Sequence, residues 1–550
     1  MRKYLLIKVL IFQLLLLIAE TGYTQGLINN GGATITYSGA SCWVFDGAAQ
    51  KITSTTAGAT KFYHMVVNQK VQLDEQSYLT VDGNLTLTDS IVLRSTALNK
   101  TASLITNGTI SSSKARVNRY LYTGGTNNVH RYHFISSPLS DGTTQPLLWW
   151  YCYRFIETTN SWGYYNLTSP YDNLKIGQGL LTFPYSFSTP YGGNIKEFKG
   201  TMNTGDISLN GSSSMYNVTY TSDEGQGWNI IGNPYPSAID LKASGWTWTN
   251  VDQTVYCYVS DPEKGGYLSW ATFNRTTDVS VNSGTRYIPA MQGFWIVAAS
   301  SPSITIPNSA RIHSSQTFWK DETITPNSIR LQVTGNGYSD ETLVYFDEEA
   351  TSDFDGYFDA YKFFGYFDSI PQIYSKTPGG TELAVNVLNT SANNMHIPVG
   401  FISGANSNFT IHASQMESFG SNCSIVLEDL KLNSMQVLTS DPHYTFSYDT
   451  IDSPDRFIIH FSELVNSPAI TSSEPVVVHF FNENLYVVTT AGEVIKNISV
   501  YNVLGQEIAN YACNNSDVQK LAVNFSSANY IVRIITDKHV YSHKVYINGN

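Results

Sequence analysis

Charge is scarce in this chain of 550 residues. Only 14% of the residues are Asp, Glu, Lys or Arg, and 44 acids against 32 bases leave a formal net charge of -12. Neutralising phosphate needs clustered Lys and Arg, so this balance argues against a nucleic-acid role. Cysteine is also sparse. Cys42, Cys152, Cys257, Cys423 and Cys513 are far apart and form no CxxC pair, which argues against a zinc ribbon or a thioredoxin-type site. The sequence contains no HExxH, GxSxG or Walker loop, and its 11 His are scattered. No segment sustains a 3.6-residue apolar period. Beyond the N-terminal run, no stretch is long and apolar enough to cross a bilayer as a helix, so the mature chain is expected to have no transmembrane helix.

What is present begins with that run. Arg2 and Lys3 precede an apolar stretch, Leu5 to Ile18, which is followed by small and polar residues. This is the layout of a cleaved secretory signal over residues 1–25. The rest is rich in Tyr, Thr, Ser, Asn and Val, with 36 Tyr and 13% aromatics. Such composition suits sheets and turns. The expected fold class is all-β and multidomain. Residues 26–115 carry short alternating strands at close spacing, such as Tyr78-Leu79-Thr80-Val81 and Asn84-Leu85-Thr86-Leu87, and suit a β-solenoid or stacked hairpins. Residues 116–315 form an aromatic-rich β domain, in which Leu147 to Phe155 reads as a strand with bulky residues on both faces. Residues 316–465 read as a β-sandwich-like domain, 466–475 as a linker, and 476–550 as a small immunoglobulin-like β-sandwich of about seven strands. Tyr151-Cys152-Tyr153 and Tyr256-Cys257-Tyr258 share a local setting. Buried free thiols are expected there, with a cross-strand disulfide as the alternative that export would permit.

The C-terminal block carries three separated motifs. Ile498-Ser499-Val500-Tyr501-Asn502-Val503-Leu504-Gly505-Gln506-Glu507 is followed by Ala528-Asn529-Tyr530-Ile531-Val532 and then by Lys544-Val545-Tyr546-Ile547. In this order they resemble the C-terminal sorting domain of type IX secretion cargo. The resemblance implies docking on the outer-membrane translocon through a domain marked here by Tyr501, Gly505, Gln506, Tyr530 and Lys544. It also implies a secreted or cell-surface location. One departure is Ala528, where the family usually has Gly. Read from the residues alone, Leu504-Gly505-Gln506 makes a hairpin turn in which Gly505 supplies the unusual dihedral. The stretches Gly227 to Asp240, Ile288 to Trp295, Asn336 to Thr342 and Leu427-Glu428-Asp429-Leu430 with Asp455-Arg456-Phe457 also resemble segments of large modular surface proteins that carry this sorting domain. That likeness implies an adhesive extracellular β-protein and supplies no catalytic residue.

No nucleophile–base pair is marked, and no organic cofactor is expected. Gly39-Ala40-Ser41-Cys42-Trp43 matches the loop around a papain-type nucleophile only in part, and it lies in a strand-and-turn pattern rather than at a helix N-terminus. Asp353, Asp355 and Asp359 surround Gly356 and are candidate calcium ligands, because calcium takes several oxygen donors. A solvated turn is the simpler reading of the same residues. In GWNIIGNPYPSAID, residues 227–240, the missing donors of Pro234 and Pro236 exclude a central strand at those positions, and Asn229, Asn233 and Asp240 can tie backbone groups. This stretch reads as a structural corner, with one wall of a binding groove as the alternative. The expected function is structural or adhesive, with surface glycans or extracellular matrix as partners. The alternative is a secreted hydrolase of glycan or peptide, since paired carboxylates need closeness only in space.

Overall fold

The computed structural model describes residues 27–29 and 40–547 apart from internal segments, the longest being 123–131, 186–193, 315–326 and 463–475. The signal and linker segments therefore lie outside the described residues. The described chain is all-β, without an α-helix. It falls into two compact units, Met1–Tyr267 with Ser283–Asp321, and Leu268–Asn282 with Glu322–Asn550. Residues 268–282, from inside the aromatic block, thus belong to the second unit.

The first unit begins as a β-solenoid. One face stacks Gln50–Ser54, Val71–Leu73, Ile91–Leu93 and Ala115–Tyr120 in parallel, which places Ile52, Leu73, Leu93 and Val117 in one ladder. A second face stacks Cys42–Phe45, His64–Val67 and Leu85–Leu87, and a third stacks Lys61–Phe62, Tyr78–Val81 and Ser103–Thr106. Period-2 alternation sends one side chain of each pair inward, and parallel in-register stacking then superposes the apolar ones. The stack ends where Ala115–Tyr120 takes an antiparallel partner, Ile195–Gly200, on its other side. The core continues without a break from Phe45 in the solenoid to Trp150, Cys152 and Met291.

Beyond the solenoid, a four-stranded sheet runs in the order His133–Ile135, Leu180–Pro184, Trp150–Ile156, Ser161–Tyr164. Gly293–Ile306, a strand of 14 residues, pairs with Trp228–Gly232 and Thr247–Val251. The corner sequence is built around buried Asn233, whose Nδ2 donates to the carbonyls of Ser237, Ile288 and Pro289 at 2.8, 3.1 and 2.9 Å. Its Oδ1 accepts the Tyr235 N–H at 3.0 Å. Asn229 ties Thr219 and Gly227 in the same way, and Asp240 pairs with Arg286. Gly227 has φ +81°, and a Cβ there would meet the Ala298 carbonyl oxygen at 1.8 Å, so only glycine fits.

In the second unit a large sheet follows the path Ser434–Val437, Ser424–Asp429, Asp455–Ser462, Met395–Ile402, Gln372–Lys376, Glu382–Leu388, Tyr338–Phe346, Ser328–Gly335, Ser407–Ser414, His443–Tyr448. Its ends fold onto each other, with the Phe446 ring 5.0 Å from both Phe401 and Phe457. Arg456 and Asp429, both fully buried, form a forked ion pair at 2.7 and 3.1 Å, and the guanidinium lies 4.6 Å from the Phe446 ring centre. The Leu-Glu-Asp-Leu and Asp-Arg-Phe segments are therefore the two halves of one buried charge pair. A smaller core follows between a three-stranded sheet, Val476–Phe481, Asn484–Thr489, Val518–Ala522, and a four-stranded one, Glu507–Ala512, Ile495–Asn502, Ala528–Thr536, Val540–Ile547.

Candidate functional site

The four-stranded sheet of the first unit presents an aromatic face. In Trp150–Ile156 the pleat turns Trp150 and Cys152 into the core and leaves Tyr151 and Tyr153 on the opposite side. Register brings Tyr151 opposite Phe183 and Tyr153 opposite Tyr164. The rings touch in series: Tyr151 lies 4.9 Å from Phe183 and 5.3 Å from Tyr185, Tyr153 lies 5.4 Å from Tyr164, and Phe183 lies 4.8 Å from Tyr132. Tyr164 and Tyr185 are 54% and 64% exposed, and Trp149 beside them is 58% exposed. Trp149 holds φ +70°, a costly conformation for a bulky residue, and its carbonyl accepts the Tyr185 N–H at 3.2 Å.

Burial first, and then the neighbouring Tyr153 phenol, raise the Tyr132 and Tyr164 phenols above their ordinary value. Both are neutral hydroxyls at neutral pH. None of the face-forming residues named carries a charged side chain. Arg154, which follows Tyr153 in sequence, has its guanidinium 4.7 Å over the ring of buried Tyr165. Such a face offers apolar ring surface edged with hydroxyl donors and acceptors, held on strands rather than on loops. The sequence marked Leu147 to Phe155 as bulky on both faces. It did not single out Tyr151, Tyr153, Phe183 and Tyr185 together, although their alternation was the available signal.

The acidic turn closes on itself. Asp359 is buried, and its two oxygens accept the Val387 and Asp355 N–H groups at 2.7 and 2.8 Å. Burial is the leading cause that pushes its carboxyl up to about 7. Asp355 Oδ1 accepts the Tyr357 N–H at 2.9 Å, and Asp353 is exposed. In the C-terminal sandwich, Gly505 takes φ +83° at a hairpin whose Asn502 Oδ1 accepts the N–H groups of Leu504 and Gln506. Tyr501 Oη donates to Glu507 across the hairpin at 3.0 Å. Val503 and Leu504 at its tip are 70% and 82% exposed. Tyr530 is buried and bonds the Ser526 carbonyl, whereas Lys544 is exposed on the edge strand. Ala528 starts its strand without a positive φ, so the missing glycine causes no strain.

All five thiols are free. Burial raises the Cys152 thiol, and it pushes Cys257 and Cys423 up to about 12. Cys42 sits on a strand and not at a helix end. No helix among the described residues is long and apolar enough to cross a membrane.

Over 348 residues the chain is 23% identical to the "Minor fimbrium subunit Mfa5" of Porphyromonas gingivalis, a stretch covering 56% of this chain and 26% of that protein. The chain thus spans about a quarter of that curated relative's length. A solved "Biofilm associated protein - BSP domain" aligns over 79% of this chain and 92% of its own, at 9% identity and a TM-score of 0.14. Residues 41–461, well over half of the chain, match the family described as "Domain of unknown function (DUF8693)", and the chain belongs to that family.

Proposed function

We propose that this is a cell-surface or secreted structural protein that adheres through the aromatic face of its first unit, with glycans or extracellular matrix as the partner. One observation carries the reading: Tyr132, Tyr151, Tyr153, Tyr164, Phe183 and Tyr185 form a connected, uncharged ring surface on a packed sheet. Sugar rings stack on such surfaces, and the phenols supply hydrogen bonds to hydroxyls. Similarity to a protein named as a fimbrium subunit supports a surface setting.

Export by type IX secretion belongs to the same proposal. It rests on the motif order at Tyr501, Gly505, Gln506, Tyr530 and Lys544. The exposed Val503-Leu504 hairpin tip and the strand Val540–Ile547, at the edge of its sheet among the described residues, offer the translocon an apolar contact and a sheet edge.

The test screens the purified chain against glycan and matrix arrays and against generic hydrolase substrates. Retention that falls about fivefold for each of Tyr164→Ala and Tyr185→Ala supports adhesion, since one stacked ring contributes about 1 kcal/mol. Turnover without retention would assign a hydrolase instead. For export, a chain lacking residues 476–550 should fail to reach the cell surface or medium. Normal delivery of that truncation removes the sorting role.

A further inference from the structure

Three histidines that are distant in sequence meet inside the second unit. His396 on Met395–Ile402 and His460 on Asp455–Ser462 are direct cross-strand neighbours. His479 comes from Val476–Phe481, the first strand of the C-terminal sandwich. One ligand atom from each lies within 4.8 Å of the other two. The His396 and His460 Nδ1 atoms face each other at 2.7 Å. His460 and His479 are fully buried, and His396 is half-buried.

The hydrogen bonding fixes the tautomer of the central ring. His460 Nε2 lies 2.8 Å from Glu428 Oε2, and an ionised carboxylate only accepts, so Nε2 carries the proton. In the neutral ring, Nδ1 is then a lone pair aimed at the cluster. Glu428 is itself held, by Lys520 on Oε1 and by Tyr486 Oη at 3.3 Å. A carboxylate gripping the far nitrogen of an imidazole is the outer-shell arrangement that orients metal-binding histidines.

His479 is the unexplained member. It is 1% exposed, and neither ring nitrogen has a hydrogen-bond partner. Its ring is stacked flat on Tyr486 at 4.9 Å, so packing fixes the ring plane while both polar atoms go unanswered. Leaving a buried donor and acceptor unpaired is costly, and a metal ion would satisfy one of them.

We infer that His396, His460 and His479 bind one divalent transition-metal ion of the zinc class, which fastens the C-terminal sandwich to the large sheet before it. The ligands are the Nδ1 atoms of His396 and His460 and one ring nitrogen of His479, with water in the remaining position on the half-exposed His396 side. Nitrogens around tetrahedral zinc stand about 3.3 Å apart, given Zn–N bonds of about 2.0–2.1 Å. His396 therefore retreats by about half an ångström, and His479 closes in by about 1.5 Å at most. Three imidazole donors with no carboxylate or carbonyl ligand from the protein favour zinc, cobalt, nickel or copper over calcium or magnesium.

The test uses the full chain, purified without a histidine tag and stripped with EDTA. Titration with Zn²⁺ should show one saturable equivalent and a higher melting temperature, and Co²⁺ should give a visible ligand-field band. His479→Gln or His396→Gln should weaken binding at least about 100-fold, and Glu428→Gln by about 10–100-fold. His412→Gln, in the separate stacked pair with His443, should change neither readout. Because a glutamine variant could lose the fold instead, His479→Cys provides a second probe. A thiolate-to-Co²⁺ charge-transfer band in that variant supports ligation at position 479, and its absence overturns it. A native chain with no stoichiometric Zn²⁺ uptake, or with uptake unchanged in His479→Gln, also overturns the inference. None of these outcomes depends on adhesion or export.

Discussion

Asn233→Ala tests the corner most directly. The side chain's two Nδ2 protons are shared among three carbonyls, those of Ser237 and Ile288 buried and that of Pro289 part-buried, and its Oδ1 accepts one N–H, all between 2.8 and 3.1 Å. Each such bond contributes about 1 kcal/mol net, and an orphaned buried acceptor costs about 1–3 kcal/mol. Pro289 O keeps the Gln292 N–H at 3.2 Å, so one of the three carbonyls is not stranded. The expected loss is about 3 kcal/mol, near the upper end for a single substitution. Asn233→Asp should be at least as damaging at neutral pH, because a carboxylate would face three carbonyl oxygens, and acid should partly rescue it. Urea unfolding followed by tryptophan fluorescence reports on the effect, since among the described residues every tryptophan except Trp270 belongs to the first unit. A loss below about 1 kcal/mol would refute the reasoning. Loss of glycan retention at unchanged stability would make the stretch a groove wall instead.

Three further outcomes are expected. His313 receives or gives hydrogen bonds at Thr80 and Ser103, and burial, followed by the charges of Lys61 and Arg311, pushes its pKa down to about 4. The unfolded chain therefore takes up the proton first as pH falls. The contribution of His313 is complete above the unfolded pKa near 6.5 and is lost between there and about 4, by about 3 kcal/mol; His313→Gln should flatten that slope in pH-dependent urea melts. Thiol titration should find five reactive cysteines in the unfolded, unreduced chain, and no fast reaction at Cys152, Cys257 or Cys423 in the native one. A calcium site at Asp353, Asp355 and Asp359 predicts a melting temperature raised by Ca²⁺ and lowered by EDTA, abolished in Asp355→Asn, whereas an unchanged melt leaves a turn closed by its own hydrogen bonds, with Asp359 buried rather than solvated.

The solenoid was legible because a period of two, repeated at short spacing, leaves little else for Leu73, Leu79, Leu85 and Leu93 to do. Gly505 was legible for a similarly local reason: a hairpin of that length needs a positive φ, and glycine adopts it at least cost. Asn233 was read as a backbone tie, and its four hydrogen bonds agree with that reading. The histidine cluster was not legible. His396, His460 and His479 lie on three strands, and no spacing rule links them. The Asp429–Arg456 pair was visible only as two recurring segments, since attraction across 27 residues depends on which strands become neighbours.

By itself the sequence determined the all-β class, the sparsely charged and aromatic character, and the local turns, because these follow from side-chain size, alternation and dihedral preference. Tertiary structure alone decided which rings form the exposed face and which imidazoles meet. Pairing Trp150–Ile156 between Leu180–Pro184 and Ser161–Tyr164 puts Tyr151 beside Phe183 and Tyr153 beside Tyr164. Docking Val476–Phe481 against Met395–Ile402 and Asp455–Ser462 brings His479 to His396 and His460. Strand order in a sheet is a non-local choice, settled by how the whole core packs, and no local pattern encodes it.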